Sequence, residues 1–546
     1  MKSKNTRTIL LISVFIAILA INFGFVFSTL NLNSHTQQIT LIDNLKTSTV
    51  YNTSILIDDT NPASDWETAK AAGICTGSGT VGDPYIIRDH IFNTPSATAL
   101  HIRHSRKHFQ ILKSEFTGSV YGIWLLNISN GLIEDNHMLN TLFGIDIMNC
   151  SHIVFRNNNC SSLSVIGILA SDSNDLSFYS NIVNDNSNHG INIDNLEDCI
   201  FEGNIMNDNG NNGFLIFTSD SITITGNTVN GNDMGINNVN SDYSSITGNT
   251  VEKNTIHGIS IDNSDYCSVS GNTVKESDAY GIYLGDSDNN TVVDNIVQYG
   301  VLDGIYLDNS EDALVFKNSV AHNKANGIEL TNSENITLIN NEVSNNSENG
   351  IRVFSSDNNK LESNIFHQNG EDGIRLVSGS QQNIINGNTA SFNNMSGIAL
   401  YVNSHNNLIS DNTASNNMHN GFHIDSSNFN LITVNRANDN TLNGIHLLLS
   451  DRNSITSNIA NNNVNGTNLI LSNENIIYGN NLANNIYCYN ETNSFDNVYE
   501  GNICQSPAVP SVPLDPFVLG LIIGLVIGFG ALAAVIILNF LRGRKK

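Results

Sequence analysis

Three consecutive stretches decide the fold. Residues 258–280 read GISIDNSDYCSVSGNTVKESDAY, residues 281–303 read GIYLGDSDNNTVVDNIVQYGVLD, and residues 304–326 read GIYLDNSEDALVFKNSVAHNKAN. Each opens with Gly-Ile and carries an Asn fourteen residues after that Gly. The same unit occurs sixteen times between Gly122 and Gly466, at intervals of 22, 23 or 24 residues. A period in this range is typical of solenoids, in which each repeat buries its apolar face only against its neighbours.

The pattern inside each repeat predicts short strands. The residues one and three steps after the repeat Gly are apolar in almost every copy, whereas those at two and four steps vary. This alternation has the period of a β-strand and not of a helix. A second apolar position lies eleven steps after the Gly, and a third strand follows the next Asn, as in Asn295-Ile296-Val297. The sequence therefore predicts a parallel β-helix of about eighteen coils over residues 97–505.

A column of asparagines marks one corner of every coil. Asn tolerates the left-handed conformation and hydrogen-bonds the neighbouring backbone, so stacked copies predict a structural ladder. The alternative is a sugar or metal site. The ladder includes Asn204, Asn227, Asn249, Asn272, Asn295, Asn318, Asn341 and Asn364. The repeat glycines have two possible structural reasons, a positive φ or a close approach of two backbones.

The charge of the chain excludes one class of partner. It carries 24 Lys and Arg against 51 Asp and Glu, and seven of the basic residues flank the two terminal hydrophobic runs. The region between those runs is therefore strongly acidic, with 17 basic and 51 acidic residues. Such a field repels nucleic acid and suits a soluble surface or cation binding.

Both ends of the chain indicate export. Residues 1–27 are typical of a signal peptide or a retained signal anchor. Residues 517–541 are apolar and long enough to span a bilayer, although a removable sorting signal has the same pattern. The tail 542–546 contains four basic residues, which predicts that it is cytoplasmic and that the repeats are outside. Asn-x-Ser/Thr sequences, as at Asn289, would make the exported chain a glycoprotein.

The segments beside the repeats are assigned by their composition. Residues 28–54 and 506–516 are expected to be linkers, and residues 55–96 an N-terminal cap with the first solenoid strand. In that cap, Ser64-Asp65-Trp66-Glu67 is a capping box that predicts a short helix covering the open end. Of seven cysteines, Cys488 and Cys504 are the pair expected to form a disulfide.

The run Gly79-Thr80-Val81-Gly82-Asp83-Pro84-Tyr85-Ile86-Ile87, followed by tandem Gly-Ile-x-Leu and Asn-x-x-x-x-Asn units, resembles the right-handed parallel β-helix repeat proteins. These include the NosD-like periplasmic copper-binding group and the carbohydrate-binding and sugar-hydrolase repeat domains. The resemblance covers roughly residues 75–505 and implies the fold, often in anchored surface proteins of archaea. It implies no single activity, because the architecture hosts enzymes, adhesins and metal-delivery proteins alike.

The outer face of the first strand is the candidate groove, as in polysaccharide-active relatives. Two steps after the repeat Gly, five consecutive coils carry Tyr283, Tyr306, Glu329, Arg352 and Arg375. Tyrosines stack on sugar rings, and paired arginines hold the carboxylate of an acidic sugar. The alternative is an ordinary solvated stripe in which acidic neighbours neutralise the arginines.

Asp308 and Glu329 are the candidate acid and base for glycosidic chemistry. Known enzyme motifs argue against this. Phe143-Gly144-Ile145-Asp146 resembles the start of the Tyr-Gly-x-Asp-Pro-His-Asp signature of alginate epimerases, but Ile147-Met148-Asn149 replace Pro-His-Asp.

His423 and His446 occupy the same outward position on adjacent coils, with Asp425 beside them, and are the candidate metal ligands. No cofactor is otherwise expected, although Cu or Ca would fit the resemblance and the acidic surface. The leading hypothesis is a membrane-anchored extracellular protein, an adhesin or scaffold, that binds a glycan or a surface protein. The alternatives are a polysaccharide lyase, hydrolase or epimerase, and a NosD-like copper-binding protein.

Overall fold

The computed structural model describes residues 48–505. Within this range the chain forms an N-terminal unit, residues 48–324, and a C-terminal unit, residues 325–505. Each unit is a stack of coils whose strands form three parallel ladders. The predicted all-β parallel β-helix is confirmed, and the first ladder has eleven strands in the N-terminal unit and eight in the C-terminal unit, close to the predicted eighteen coils.

In the N-terminal unit, two long strands belong to both the first and the second ladder. The first ladder contains Ile55–Asp58, Leu100–Ser105, Tyr121–Glu134, Phe143–Met148, Ile166–Tyr179, Ile191–Glu197, Phe214–Phe217, Ile236–Val239, Ile259–Asp262, Ile282–Gly285 and Ile305–Asp308. The second contains Tyr85–Arg88, Phe109–Leu112, Tyr121–Glu134, Ser151–Arg156, Ile166–Tyr179, Ile200–Glu202, Thr223–Thr225, Ser245–Thr247, Ser268–Ser270, Thr291–Val293 and Leu314–Phe316. The third contains Thr49–Tyr51, His90–Asn93, Glu115–Thr117, His137–Leu139, Ile205–Asn207, Thr228–Asn230, Thr250–Glu252, Thr273–Lys275, Ile296–Gln298 and Ser319–Ala321.

The C-terminal unit repeats the same plan. Its first ladder contains Ile328–Thr331, Ile351–Phe354, Ile374–Val377, Ile398–Tyr401, Phe422–Asp425, Asn443–Leu448, Asn465–Ile470 and Tyr487–Thr492. The second contains Thr337–Ile339, Lys360–Glu362, Ile384–Asn386, Leu408–Ser410, Leu431–Thr433, Ser454–Thr456, Ile476–Tyr478 and Val498–Glu500. The third contains Glu342–Ser344, Ile365–His367 and Thr389–Ser391, and continues as single-residue bridges from Thr413 to Ile503.

The core of each unit is filled by the alternate residues that the period-2 pattern predicts. In the first ladder of the N-terminal unit, Ile282 and Leu284 are fully buried and pair in register with Ile305 and Leu307 of the next coil. Like side chains therefore stack on like, as in Phe155, Phe178 and Phe201, whose rings lie 4.6 Å apart. Close packing of identical apolar side chains along the stack holds successive coils in register.

The asparagine column is a structural ladder, as expected. The backbone N–H of Asn204 and its side-chain amide both donate to Oδ1 of Asn227, at 2.8 and 3.0 Å. In the C-terminal unit, Asn341 donates to Asn364 in the same way, at 2.9 Å from each donor. All the predicted members are buried. Because every ladder Asn satisfies a buried backbone group of its neighbour, the column closes a corner that would otherwise leave unpaired N–H groups.

A second asparagine ladder lies five residues after the first one in the repeat. The sequence analysis gave these asparagines no role. Asn209 donates to Oδ1 of Asn232 at 3.0 Å, and Asn417 donates to Oδ1 of Asn440 at 2.9 Å. These side chains are also buried. Buried asparagine columns therefore run along the stack between the apolar strands.

The repeat glycines serve close backbone approach, the second of the two reasons considered. A Cβ atom on Gly281 would lie 2.6 Å from the carbonyl oxygen of Gly304 and against Val297. The φ of Gly281 is not in the left-handed region. Any side chain at these positions would push successive coils apart.

The N-terminal end begins earlier than expected. Thr49–Tyr51 and Ile55–Asp58 already pair in parallel with later strands, so the solenoid starts inside the predicted linker and ahead of the predicted first strand. The helix is Trp66–Ala71, and its N-cap is Asp65, which accepts the Thr68 N–H, rather than Ser64. Trp66 is buried and stacks on Tyr85 with 4.7 Å between ring centroids. A short helix is thus present in this segment, with its N-cap at Asp65, one residue after the Ser64 that the capping box predicts.

The predicted disulfide joins Cys488 to Cys504 in the last coil, with 5.5 Å between their Cα atoms. Beside it the rings of Tyr489 and Tyr499 lie 4.8 Å apart. Five other cysteines, Cys75, Cys150, Cys160, Cys199 and Cys267, are unpaired and buried.

Several assigned segments lie outside the described residues: the signal segment 1–27, most of the linker 28–54, the linker 506–516, the span 517–541 and the tail 542–546. Within residues 48–505, no helix has the length and apolar character needed to cross a membrane.

Candidate functional site

The outer face of the first ladder carries the predicted column in register. In the N-terminal unit, Tyr283 pairs with Tyr306 on the next coil. In the C-terminal unit, Glu329, Arg352 and Arg375 occupy consecutive coils. Tyr283, Arg352 and Arg375 are half-buried and alternate with buried residues along their strands, whereas Glu329 is buried like its two neighbours.

Four aromatic side chains gather on this face of the N-terminal unit, and we call them the tyrosine platform: His257, Tyr280, Tyr283 and Tyr306. The ring of Tyr283 lies 5.8 Å from that of Tyr306 and 5.1 Å from that of His257. Tyr280 lies 4.5 Å from Tyr306 and 5.2 Å from His257. The rings are half-buried and form one continuous aromatic surface.

Two members of the platform were not predicted. Tyr280 and His257 stand one residue before the repeat glycines Gly281 and Gly258, in the turn that enters the strand. Aligning the repeats on their glycines could have found them, because the residues before successive glycines stack on one another along the solenoid. Tyr121 and Phe143 hold that position on the first two repeats.

Gly285 determines how the Tyr283 ring lies. A Cβ on Gly285 would overlap Oη and two carbon atoms of the Tyr283 ring. The ring therefore lies over the Gly285 backbone, and Gly285 is paired with Asp262 on one side and Asp308 on the other. Because Gly285 has no side chain, the Tyr283 ring can lie between the carboxyl groups of Asp262 and Asp308.

The electrostatics of the platform are acidic. Burial, reinforced by the carboxylates of Asp308 and Asp262, raises the pKa of Tyr283 to about 12. Burial and the neighbouring Asp286 carboxylate raise the pKa values of Asp262 and Asp308. Burial lowers the pKa of His257 to about 4, so this imidazole is neutral at neutral pH. The platform thus offers neutral rings beside the carboxyl groups of Asp262 and Asp308.

Glu329 differs from Asp308, its predicted partner in catalysis. Its Oε2 accepts from the Asn326 amide at 2.8 Å, and its Oε1 accepts from Thr331 at 3.2 Å and pairs with Arg352. The side chain is only 9% exposed. Both oxygens are engaged by donors within the C-terminal unit, and the acid and base roles of Asp308 and Glu329 stay a prediction.

The two predicted arginines are already paired inside the protein. Arg352 forms its ion pair with Glu329 and lies 4.7 Å from the centroid of the Phe354 ring. Arg375 donates to Glu371 at 2.7 Å and lies 4.7 Å over Tyr401. An acidic sugar would have to compete with these internal carboxylates for each guanidinium.

A buried carboxyl group missed by the sequence lies beside Arg375. Asp372 is fully buried, and its Oδ1 accepts the Ser396 N–H at 2.8 Å. Its Oδ2 lies 3.9 Å from Arg375 and has no hydrogen-bond partner within hydrogen-bonding distance among the described residues. Burial raises the pKa of Asp372 to about 6. Asp372, like Tyr280, stands one residue before a repeat glycine.

The predicted histidine pair is assembled as a stack. The rings of His423 and His446 lie 5.0 Å apart, and Nδ1 of His423 is 3.1 Å from the Tyr401 hydroxyl. Nε2 of His423 is buried without a partner among the described residues, and burial lowers the pKa of His423 to about 3. Residues 48–505 contain no group of three or more His, Cys, Asp or Glu side chains able to hold a metal, so Asp425 does not complete a ligand set there.

Comparison with known families identifies the fold. The sequence model described as the right handed beta helix region matches residues 34–198 and 297–436, more than half of the chain. The chain belongs to this right-handed β-helix family. A second model, the periplasmic copper-binding protein NosD, matches residues 195–326 and 372–509 of this β-helix protein. No curated protein sequence matches the chain significantly.

Solved structures similar to this β-helix protein are distant. The mannuronan C-5 epimerase AlgE6 A-module of Azotobacter vinelandii covers 83% of this chain and 97% of its own, at 12% identity and a TM-score of 0.28. The catalytic unit of an α-1,3-glucanase from Streptomyces thermodiastaticus covers 70% and 65%, at 11% identity and 0.35. PfbA, a surface adhesin of Streptococcus pneumoniae, covers 60% and 83%, at 11% identity and 0.27. At these scores none of them bears on the activity of this β-helix protein.

Proposed function

We propose that this protein is a carbohydrate-binding β-helix protein and that the tyrosine platform is its binding site. The observation that carries the proposal is the cluster of four half-buried rings beside the carboxylates of Asp262 and Asp308. Aromatic faces stack on the apolar faces of sugar rings, and carboxylates accept hydrogen bonds from sugar hydroxyls. Stacking and hydroxyl recognition are therefore available at one place.

A glycan array probed with the full-length protein tests this proposal. We expect binding to at least one glycan, and loss of that binding when Tyr283 and Tyr306 are both replaced by Ala. Product analysis by mass spectrometry on every bound glycan distinguishes a binding protein from the alternative, a polysaccharide lyase, hydrolase or epimerase. Unaltered binding by the Tyr283→Ala/Tyr306→Ala variant would refute the tyrosine platform as the site.

The chain offers a matched control for that variant. Tyr243 and Tyr266 also stack on adjacent coils of the N-terminal unit, with 5.2 Å between centroids, but they are 58% and 52% exposed and lie on a turn outside the ladder. The Tyr243→Ala/Tyr266→Ala variant removes two stacked tyrosines without touching the platform. We expect it to bind glycans like the wild type.

We further propose that the platform works outside the cell on a chain attached by residues 517–541. This rests on the hydrophobic runs at both ends and the basic tail 542–546. Protease treatment of intact cells should degrade the repeats and leave a membrane-bound C-terminal fragment. Recovery of the repeats in a protease-protected compartment would contradict this placement.

Copper binding is the second candidate function, favoured by the match to the NosD model and by the unpartnered Nε2 of His423. The described residues fit a copper ion only in part, since His423 and His446 supply two imidazoles without a third ligand. Equilibrium dialysis against Cu(II) and Zn(II) tests it. Copper retained by the wild type and the His367→Ala control but lost in His423→Ala would support this role, and no retention would exclude it.

A further inference from the structure

A second aromatic cluster lies on the same face of the N-terminal unit, and we call it the tryptophan platform: His101, Tyr121, Trp124 and Phe143. The His101 ring stacks on Trp124 with 4.0 Å between centroids. Tyr121 lies 5.6 Å from Trp124 and 5.0 Å from Phe143. Trp124 and His101 pair in register on adjacent first-ladder strands. The cluster therefore occupies the same columns as the tyrosine platform.

Polar groups accompany these rings as well. Asp146 pairs with Trp124 on the next coil and is half-buried. Burial raises the pKa of Asp146 to about 6. Nε2 of His101 is buried and lacks a hydrogen-bond partner among the described residues. Like the tyrosine platform, this cluster combines aromatic faces with a half-buried carboxyl group, that of Asp146.

The two platforms lie along one line of the N-terminal unit. The strands of Trp124 and Tyr283 are connected by consecutive parallel pairings through seven coil intervals. At about 4.8 Å per interval, their separation is roughly 34 Å. In the column two residues after each repeat glycine, the residues between Asp146 and Tyr283 are uncharged: Leu169, Asn192, Leu215, Asn237 and the buried Ser260. The column four residues after the glycine carries Asp194 and Asp262 in the same interval. A linear ligand lying along the stack would follow an uncharged column, with these two carboxylates beside it, between two aromatic surfaces.

The charges on this face favour a neutral ligand. This face is formed by the positions one residue before and two and four residues after each repeat glycine from Gly122 to Gly304. Among these described positions there is no Lys or Arg, whereas Asp146, Asp194, Asp262, Asp303 and Asp308 are present. A polyanionic chain would meet several carboxylates and no fixed cation, and its binding would be opposed by repulsion.

We propose that the tryptophan and tyrosine platforms are the two ends of one binding surface for a neutral, linear polysaccharide that runs parallel to the stack of coils. This inference rests on the proposed carbohydrate-binding function and adds the second contact site, the orientation and the chemical class of the ligand. A chain that reaches both platforms gains affinity because its second contact is intramolecular. An oligosaccharide too short to reach both occupies each platform separately.

Intrinsic fluorescence reports on the new platform directly. The chain has two tryptophans, Trp66 and Trp124. Trp66 is 1% exposed and donates its indole N–H to Ser105, so it is shielded from added ligand. A change in emission on titration with sugars therefore reports Trp124, and the Trp124→Phe variant provides the blank.

The test uses the full-length protein and size-graded β-1,4-mannan, β-1,3-glucan and α-1,4-glucan oligosaccharides, with alginate and polygalacturonate as acidic comparators. Calorimetry should give two trisaccharides per chain but one dodecasaccharide per chain, with the longer sugar bound at least about tenfold more tightly. Trp124→Ala should bind one trisaccharide and lose the length dependence. Tyr266→Ala, which removes an exposed aromatic residue outside the first ladder, is the matched control, and Trp124→Phe checks that folding is retained.

Each outcome has a defined meaning. Binding that depends on Tyr283 and Tyr306 but not on ligand length or Trp124 would overturn this inference and leave the proposed function standing. Tighter binding of the acidic comparators would overturn the neutral class of ligand. If none of these sugars nor any glycan on the array binds, the proposed function and this inference both fail.

Discussion

The tyrosine platform of the N-terminal unit and the arginine-bearing face of the C-terminal unit are both built on first-ladder strands. They differ in what their aromatic rings contact. The rings of Tyr280, Tyr283 and Tyr306 contact one another. Phe354 and Tyr401 instead lie 4.7 Å from the guanidinium groups of Arg352 and Arg375. A ring that already contacts an arginine has less surface for a sugar. The comparison teaches that a continuous column in the sequence contains two different surfaces.

The first prediction tests the scaffold that the two faces share and carries the largest expected effect. Replacing Asn295 or Asn364 by Ala removes a ladder side chain and leaves the N–H of the preceding ladder Asn buried without its acceptor. We expect each variant to lose about 2–4 kcal/mol of unfolding free energy, from the unpaired backbone group and the lost amide bonds. Chemical denaturation followed by circular dichroism measures it.

The control for this first prediction is Asn394→Ala, since Asn394 is an exposed asparagine outside the strands whose φ is not positive. Similar losses in the two units would show that the scaffold is equivalent in both. A loss in only one unit would contradict a common ladder.

The second prediction concerns the charge buried in the C-terminal unit. Burial raises the pKa of Asp372 to about 6 in the folded protein. The folded state therefore loses stability as pH rises from about 4 to about 6, and this loss of unfolding free energy stays constant at higher pH. Asn326 and Asn349 hold the same column position on the two preceding coils, and Asn349 donates its amide to Asn326. Asp372→Asn should therefore add about 1–3 kcal/mol of stability at pH 7 and nothing at pH 3.5.

Thermal unfolding of the Asp372→Asn variant at the two pH values measures this effect. The matched control is Asp439→Asn, an exposed position in the same unit, which should be nearly neutral at both. An equal gain at pH 3.5 would show that packing, and not the removal of a buried charge, is responsible.

The third prediction sharpens the role of ring placement in the N-terminal unit. Gly285→Ala adds a Cβ that overlaps the Tyr283 ring and must displace it while leaving all four aromatic side chains in the chain. We expect about a tenfold loss of glycan affinity, as for a displaced stacking partner worth about 1 kcal/mol. Adding Gly285→Ala to Tyr283→Ala should cause no further loss. A further loss in the double variant would mean that Gly285 acts through something other than Tyr283.

The fourth prediction concerns the arginine-bearing face of the C-terminal unit, where we expect the smallest effect on glycan affinity. Arg352→Ala removes a guanidinium that is paired with Glu329 and packed on Phe354. If neutral glycans bind at the tyrosine platform, their affinity should change by less than about twofold, because the Arg352 guanidinium is already engaged by Glu329 and Phe354 and is no part of that platform. A large loss of glycan binding would restore the predicted carboxylate-binding role of the arginines.

The sequence predicted the scaffold well because its main features recur about sixteen times. The strand alternation and the asparagine ladder were both visible without a structure. The Cys488–Cys504 disulfide, which occurs once, was predicted from the positions of its two cysteines at the end of the repeats. The strands at 49–58 were missed, since a single coil before the repeats has no period to reveal it.

The candidate surfaces were predicted less completely, for a physical reason. Alternation applies only inside a strand, so it assigns Tyr283 to the outer face but says nothing of Tyr280, which lies in the turn before it. The same limit hid Asp372. Internal neutralisation of Arg375 by Glu371 depends on side-chain contacts, and the sequence left it as an open alternative.

The asparagine ladders also make the N-terminal unit extensible. Each ladder Asn bonds to the equivalent Asn of the next coil and to a backbone carbonyl of the preceding coil, as Asn204 bonds to Asn227 and to Phe178. A whole coil can therefore be inserted or removed without changing the kind of partner that any ladder residue needs. The distance between the tryptophan and tyrosine platforms is then set by the number of coils between them, in steps of about 4.8 Å. Gain or loss of a single repeat would change the length of polysaccharide needed to reach both platforms by one such step. The number of coils therefore sets the minimum length of a ligand that contacts both platforms.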